Sequence, residues 1–345
     1  MSFPWPDEKC TLKVKEVITA CVGEVSHIVD PTPLSAALLI AAVRLQAKHS
    51  ETQLKEEEFT SALAGIFIGN IPWLSLLFPS IHMPGFDHAT YSKSSRDSKS
   101  ESATGADFAI LIHLPNGQAR VAVFQAKICN ENGSLSIHQM APARNGKTPQ
   151  PQLLRLAEYG NDISSKLTKE KRLDWVHYCG YSETSSFCIS LSNIPLIIES
   201  VSEHDKSISA ELRAEIDAES KATRAVMLSL AEKKWAGKKS QDLVREKDTI
   251  DLAQLLSLGA AVQPGFKAPG WLTLESGQIG EFTKTTSGVM PILSVHSGSS
   301  PESGMNIEPS VTTVVASVNT ATKGYAETVK EGITRINSAR TGMTF

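Results

Sequence analysis

Three polar side chains of the types that hydrolyse phosphodiesters border two apolar runs of the sequence. Asp107 precedes the run Phe108–Leu114, while Gln125 and Lys127 lie at the end of the run Arg120–Gln125. A carboxylate and a backbone carbonyl are the hard oxygen ligands that Mg²⁺ prefers. A bound cation neutralises charge on a phosphate and acidifies a water, while a lysine orients that water or stabilises the transition state. These residue types therefore predict metal-assisted hydrolysis of a phosphodiester.

The sequence between these residues predicts a β-hairpin that brings them together. Pro115–Gly117 is a turn signal, with an Asn-Gly pair that tolerates positive φ. With a three-residue loop, Asp107 lies opposite Gln125, and alternation along the strand places Lys127 on the same face. With a two-residue turn, Asp107 lies on the other face, because a shift of one residue reverses every side chain.

The pattern Gly-Ala-Asp ending at Asp107, a hairpin, and Phe-Gln-Ala-Lys ending at Lys127 resembles the PD-(D/E)XK restriction-endonuclease-like superfamily. More narrowly, it resembles the QxK branch common among Mrr-like and phage-defence nucleases. The resemblance implies that Asp107 binds the metal, that the Ala126 carbonyl completes the metal site and that Lys127 is the catalytic lysine. Gln125 stands where a second acid is usual, and Ala106 replaces the Pro of the motif. The neutral Gln125 leaves the number of metal ions open.

The resemblance also implies an acidic residue on a helix before the hairpin. Apolar periodicity predicts a helix over 51–68, and Glu56, Glu57 and Glu58 stand in its first half. Glu57 and Glu58 are the candidates for a further metal contact, with Glu58 taken as a metal ligand, and the sequence does not choose firmly between them. Acidic residues in a first helical turn also complement the helix dipole, which is the alternative role for each.

Further helices and strands are predicted on both sides of the hairpin. The predicted helices are Leu12–Val29, Ser35–His49, Pro151–Leu167, Ser209–Lys234 and Thr249–Leu258, and the predicted strands are Trp175–Tyr181, Phe187–Leu191, Val289–Val295 and Val311–Val318. Residues 71–79 are expected to lie on the core as a short helix or strand. The resemblance expects a Gln on the helix after the hairpin, and Gln150 or Gln152 matches it. His177 is expected to be a core residue.

These elements predict an α/β fold, with a restriction-endonuclease-like core in which helices flank a central mixed β-sheet. We assign an N-terminal helical segment to residues 1–50, the nuclease core to 51–200 and a C-terminal region of helices and strands to 201–345. The last region is either an accessory binding region or an elaboration of the core. The sequence does not decide between these two.

The chain as a whole is slightly acidic, with a net charge of −3 and a pI near 6.3. Basic residues nevertheless cluster at 166–172 and 233–239. Others lie in a Ser-rich connector and near the predicted site; these are Lys93, Arg96, Lys99, Arg144 and Lys147. Each group is either a solvated surface or a contact for nucleic-acid phosphates.

Cysteine usage and hydropathy indicate the compartment. The five cysteines have no CxxC spacing, which favours reduced thiols and gives no support for a zinc site. No apolar run reaches the roughly 18 residues that a membrane helix needs. The N-terminal residues lack the basic and apolar regions of a secretory signal. We therefore expect a cytoplasmic protein that does not enter a membrane.

Residues and resemblance together predict a DNA endonuclease that depends on Mg²⁺ or Mn²⁺. Because the QxK branch is frequent in bacterial restriction and anti-phage defence, the resemblance implies a defence nuclease that acts with a protein partner. The alternative is a catalytically silent nuclease fold that serves as a DNA-binding or scaffold subunit, which the neutral Gln125 favours. A third class is a module that only binds protein. DNA against RNA preference and homo-oligomer formation stay open.

Overall fold

The computed structural model describes residues 33–52, 54–77, 85–89, 104–114, 116–142, 148–182, 185–218, 223–236, 242–245, 249–261, 265–286 and 289–296. Its α-helices are α1 (Pro33–Thr52), α2 (Glu56–Leu77), α3 (Gln152–Thr168), α4 (Pro195–Ala218), α5 (Arg224–Ala236), α6 (Leu252–Ala260) and α7 (Ser276–Thr286). Its strands are β1 (Gly85–Ala89), β2 (Phe108–His113), β3 (Ala119–Ile128), β4 (Met140–Ala141), β5 (Gln150–Pro151), β6 (Val176–Tyr181), β7 (Ser186–Ser190), β8 (Ile250–Asp251), β9 (Leu272–Leu274) and β10 (Ile292–His296).

The strands form a central mixed sheet in the order β1-β10-β2-β3-β6-β7-β8, and β9 pairs with the first residues of β3. β2 is parallel to β10, and β3 is parallel to β6, while the other pairs are antiparallel. Helix α3 lies between the parallel strands β3 and β6 in the chain, as a parallel pair requires a crossover connection. β4 and β5 form a separate two-stranded ladder.

Helices cover both faces of the sheet, so the fold is α/β with a central mixed sheet, as predicted. On one face, α1, α2 and α6 pack against side chains such as Phe124 and Ala126. On the other face, α3, α4 and α7 pack against Val121, Val123 and Tyr178. β2 is buried throughout and β3 except at its last residue, as expected for strands covered on two sides. Side chains alternate along β3, so Gln125 and Lys127 point to the α3 face.

The C-terminal segment completes this sheet. β10 lies between β1 and β2, and β8 and β9 add to other strands of the same sheet. The buried guanidinium of Arg120 on β3 donates to the carbonyl oxygens of Leu258, Gly259, Ala261 and Phe266 at the end of α6. β8, β9 and β10 of this region therefore extend the central sheet.

Several element boundaries differ from the prediction. Helix α1 continues to Thr52, beyond the predicted end at His49. Helix α2 begins at Glu56 and continues to Leu77, whereas the prediction was 51–68. α4 begins at Pro195, ahead of the predicted start at Ser209, and α5 is a separate helix from Arg224. The predicted domain limits at 50/51 and 200/201 consequently fall inside α1 and α4. β1 and the β4–β5 ladder were not predicted, because short strands carry little periodic signal.

Some predictions fall on residues outside the described ranges. These are the helix Leu12–Val29, the strand Val311–Val318, the connector residues Lys93, Arg96 and Lys99, and the basic residues Arg144 and Lys147. Within the described chain, no helix combines the length and the apolar character that crossing a membrane requires.

Candidate active site at the open end of the hairpin

The register of the hairpin is the one that a three-residue loop produces. Phe108 pairs with Phe124 along the antiparallel β2–β3 ladder. One residue earlier, the Asp107 amide donates to the Phe124 carbonyl at 2.8 Å. At the loop, the Leu114 amide donates to the Gln118 carbonyl at 2.8 Å. The ladder thus ends at the Phe108–Phe124 pair, and Asp107 follows it with its side chain against Gln125 on the α3 face.

The carboxylate of Asp107 accepts two hydrogen bonds from β3. Its Oδ2 atom lies 2.6 Å from Gln125 Nε2 and 2.8 Å from the Ala126 amide nitrogen. Asp107 is half-buried, whereas Gln125 is only 1% exposed. Hydrogen bonds to a carboxylate are stronger than bonds between neutral groups, so these contacts hold one oxygen of Asp107 in a fixed position.

Gly105 lets the chain approach α3 just before Asp107. Its φ of +67° is a left-handed conformation that glycine adopts without strain. A Cβ atom at this position would lie 2.6 Å from the Gln152 carbonyl oxygen. Two features therefore require glycine at 105: its positive φ, and its close approach to the first turn of α3, which brings Asp107 beside that turn.

The Gln125 amide lies between the carboxylate and a main-chain carbonyl. Its Nε2 atom also lies 3.3 Å from the Ala126 carbonyl oxygen. Its Oε1 atom is buried and has no hydrogen-bond partner among the described residues. A buried carbonyl oxygen without a donor is costly, and such an atom in a native fold calls for an explanation.

Lys127 is 7% exposed, and its ammonium donates to Gln139 Oε1 at 2.7 Å. The main-chain carbonyl of Gln139 accepts in turn from the Gln152 amide at 2.9 Å, at the start of α3. The exposed Gln139 was not identified from the sequence, because it lies in an irregular polar segment with no periodic pattern. Of the two glutamines proposed for the helix, Gln152 is the one inside α3.

Tyr178 on β6 also belongs to the site and was missed. It pairs with Gln125 in the parallel β3–β6 ladder and is fully buried. Burial raises the pKa of the Tyr178 hydroxyl above its usual value, and the negative charge of Asp107 raises it further. Its position in the strand, on the same face as Gln125, was the available signal.

Three oxygen atoms at this point fit a hard cation. Asp107 Oδ2 and the Ala126 carbonyl oxygen both face the Gln125 amide, which lies within 3.3 Å of each. Half a turn of that amide presents Oε1 in place of Nε2, so a carboxylate, a carbonyl and an amide oxygen would share one position. Mg²⁺ is held by one or two carboxylates and keeps several waters. The donor set fits such an ion, with a single negative charge from the protein.

The predicted acidic contribution from α2 lies elsewhere. Glu58 is exposed, and its Oε2 atom accepts from the Lys55 amide at 2.9 Å, as a glutamate in a capping box does. Phe59 of α2 stacks on Tyr181 with ring centroids 3.5 Å apart, on the face of the sheet opposite Gln125. Glu57 is in the first turn of α2, and its side chain is outside the described part. No group of three or more His, Cys, Asp or Glu side chains gathers within the described residues.

The basic cluster at 166–172 is distant from these side chains. It begins at the C-terminal end of α3, whereas Gln152 opens the helix. Lys166 pairs with Glu281 at 3.0 Å, and Arg172 pairs with Asp174 at 2.6 Å. In the second cluster, Lys234 pairs with two glutamates of α4, and residues 237–239 are outside the described ranges. The paired residues of both clusters thus form solvated ion pairs.

The chain matches no protein-family model, no curated protein and no solved structure in the three comparisons. The chemistry of the side chains at the open end of the hairpin is therefore the basis for a function.

Proposed function

We propose that this chain is a divalent-cation-dependent endonuclease that hydrolyses phosphodiester bonds of DNA, with a PD-(D/E)XK-type core in its QxK form. The observation that supports this best is the convergence of Asp107, Gln125 and the Ala126 carbonyl on one point, with Lys127 on the same face of the same strand. The parallel β3–β6 pair joined by α3 supports it as well, because it gives a rigid frame for the site.

Asp107, Gln125 and the Ala126 carbonyl would hold Mg²⁺ or Mn²⁺. When bound, the ion would neutralise charge on the phosphate and lower the pKa of a water ligand. Asp107 supplies the negative charge that attracts the cation, and its bonds from β3 keep one oxygen in place. Gln125 supplies an amide oxygen and adds no charge, so the substrate phosphate is expected to contribute to metal affinity.

Lys127 would place a positive charge beside the reacting phosphate. Its burial on the α3 face limits the positions of the long side chain, and the bond to Gln139 orients the ammonium. A preorganised positive charge in a site that excludes water stabilises developing negative charge without reorganisation. Tyr178, which pairs with Gln125 in the β3–β6 ladder, is fully buried.

Cleavage of supercoiled plasmid DNA by the purified chain tests this proposal. We expect nicking or linearisation with Mg²⁺ or Mn²⁺, none with EDTA, and loss of both products in Asp107→Asn and Lys127→Met. The absence of cleavage with any metal, alone or with a co-purifying partner, would overturn the proposal. By family resemblance, the partner would be another component of a bacterial defence system.

A catalytically silent nuclease fold that binds DNA or a protein is the second candidate. Two observations favour it. The neutral Gln125 donates to Asp107, and Glu58 bonds to the Lys55 amide at the start of α2 and not to the proposed metal site. DNA binding that persists in Asp107→Asn and Lys127→Met, without cleavage by the unmodified chain, would support this candidate.

A further inference from the structure

We infer that Gln139 is a positioning residue for Lys127, and that it holds the lysine without cancelling its charge. This inference rests on the proposed function, because it assigns a purpose to the orientation of Lys127. It starts from the 2.7 Å contact between Lys127 Nζ and Gln139 Oε1, which joins β3 to the segment before β4.

A buried lysine needs such a partner. The side chain has four rotatable bonds, and its ammonium is costly to bury without an acceptor. Lys127 is 7% exposed, so the bond to Gln139 meets part of this requirement and also selects one direction for the ammonium.

The backbone of Gln139 is itself fixed. Its carbonyl oxygen accepts from the Gln152 amide at 2.9 Å, and the following residue, Met140, pairs with Pro151 in the β4–β5 ladder. On the other side, Leu135 forms an antiparallel bridge with Leu243. The acceptor for Lys127 therefore comes from a segment anchored at both ends, and its position is set by the start of α3.

The choice of an amide has an electrostatic consequence. A glutamate at 139 would accept the same hydrogen bond and add a negative charge beside the ammonium. An amide acceptor adds no negative charge beside the ammonium, whereas a carboxylate at 139 would offset the charge of Lys127 and repel a phosphate. Gln139 thus orients the ammonium of Lys127 and is itself uncharged.

Two substitutions separate orientation from charge. Gln139→Met keeps the size of the side chain and removes the acceptor, so we expect kcat to fall roughly ten- to a hundred-fold with a small change in KM. Gln139→Glu keeps the acceptor, so kcat should stay within a few-fold while KM for DNA rises and becomes more sensitive to salt. Gln118→Ala, which removes a half-buried glutamine bonded to Glu275 at the far end of the hairpin, is the control. Equal loss of kcat in Gln139→Met and Gln139→Glu, or no loss in Gln139→Met, would overturn the inference.

A second measurement does not depend on cleavage. Trace labelling of lysines with acetic anhydride, read by peptide mass spectrometry, compares Lys127 with the exposed Lys166. We expect Gln139→Met to raise the relative labelling of Lys127 several-fold, because the ammonium loses the acceptor that orients it, and Gln118→Ala to leave it unchanged. If the unmodified chain cleaves no DNA, the proposed function fails, and this labelling still decides whether Gln139 holds Lys127. Unchanged labelling in Gln139→Met would refute the positioning role.

Discussion

Gln125 Nε2 and Asp107 Oδ2 lie 2.6 Å apart, across two neighbouring strands. The Gln125 amide nitrogen donates to the carboxylate in this contact. The amide oxygen, Oε1, is buried and has no hydrogen-bond partner in the described structure. In this arrangement Asp107 Oδ2 accepts from two N–H donors. In the metal site that we propose, half a turn of this amide would present Oε1 to the cation beside Asp107 and the Ala126 carbonyl.

Asp107 is expected to be essential for cleavage. Asp107→Asn removes the negative charge of the metal site, and we expect cleavage to fall by at least a hundred-fold. Stability should fall by about 1–2 kcal/mol, because the bonds from Gln125 and Ala126 lose a charged acceptor. Plasmid cleavage and urea unfolding measure the two effects. Asp174→Asn is the matched control. It also removes an acid just before a strand, but this acid is paired with Arg172. Cleavage by Asp107→Asn at the rate of Asp174→Asn would exclude a catalytic Asp107.

Lys127 should matter for activity more than for stability. Lys127→Met keeps most of the apolar stem and removes a buried ammonium, so we expect the free energy of unfolding to change by less than about 1.5 kcal/mol. Cleavage should be lost, because no other side chain supplies this charge on the α3 face of β3. Lys166→Met, in an exposed pair with Glu281, should leave cleavage near the unmodified rate. Parallel loss in both lysine variants would indicate a general effect of charge.

Gln125→Glu tests the metal site by a route that needs no substrate. Two carboxylates would face each other at the 2.6 Å contact, and like charges at this distance are unfavourable. We expect the melting temperature in EDTA at pH 8 to fall by several degrees and to recover on addition of Mg²⁺ or Mn²⁺, since a bound ion stabilises the folded state. Gln118→Ala, which creates no carboxylate pair, should respond to neither metal. A melting temperature of Gln125→Glu that is insensitive to both metals would argue against a cation at this point.

Glu58 can be assigned by comparing two substitutions. Its bond to the Lys55 amide indicates a role at the start of α2, so Glu58→Ala should lower stability by about 0.5–1 kcal/mol. Glu58→Gln keeps an acceptor oxygen and should preserve both melting temperature and cleavage. If Glu58→Gln instead abolishes cleavage at an unchanged melting temperature, Glu58 contacts the metal in the active state, as the resemblance implies.

His177 should make the fold sensitive to acid. Burial lowers the pKa of His177 to about 4. The 2.8 Å contact of Nε2 with the Gly270 carbonyl and the negative charge of Asp174 raise this pKa, but by less than burial lowers it. The unfolded chain, with a histidine pKa near 6.5, binds the proton more readily, so stability is full above about pH 6.5 and falls as pH decreases toward 4. Between pH 7 and pH 5 the loss is about 2 kcal/mol.

Urea unfolding of the unmodified chain and of His177→Gln measures this effect. The difference between the two proteins should shrink as pH falls from 7 to 5, because glutamine does not titrate. The comparison is needed because burial raises the pKa of Asp205 to about 6, and that carboxyl contributes with the opposite sign over the same range. A difference that is constant with pH would contradict the lowered pKa.

The hairpin could be predicted because its information is local. The turn residues determine the loop length and with it the β2–β3 register, and alternation along β3 then places Gln125 and Lys127 on one face. The strands β6 and β7 and the helix α3 were predicted for the same reason, since each carries its own periodic pattern. His177 was expected to be a core residue, and it is buried with a partner on Nε2.

The contacts that depend on distant parts of the chain could not be predicted. Nothing near Gln139 indicates that its side chain meets Lys127, because the contact arises from the path between β3 and α3. The place of β10 between β1 and β2 likewise depends on tertiary packing. The buried Arg120 shows the same limit, since its acceptors belong to the end of α6 and the residues that follow.

The position of β10 has a consequence for biosynthesis. β2, the strand that begins beside Asp107, gains its second neighbour only when Ile292–His296 have left the ribosome. Sequence-distant pairing of this kind forms late during folding. A nascent chain that ends before Ile292 therefore carries the hairpin with one edge of β2 unpaired. If the chain is the nuclease that we propose, cleavage would have to wait until Ile292–His296 have been made and have paired with β2.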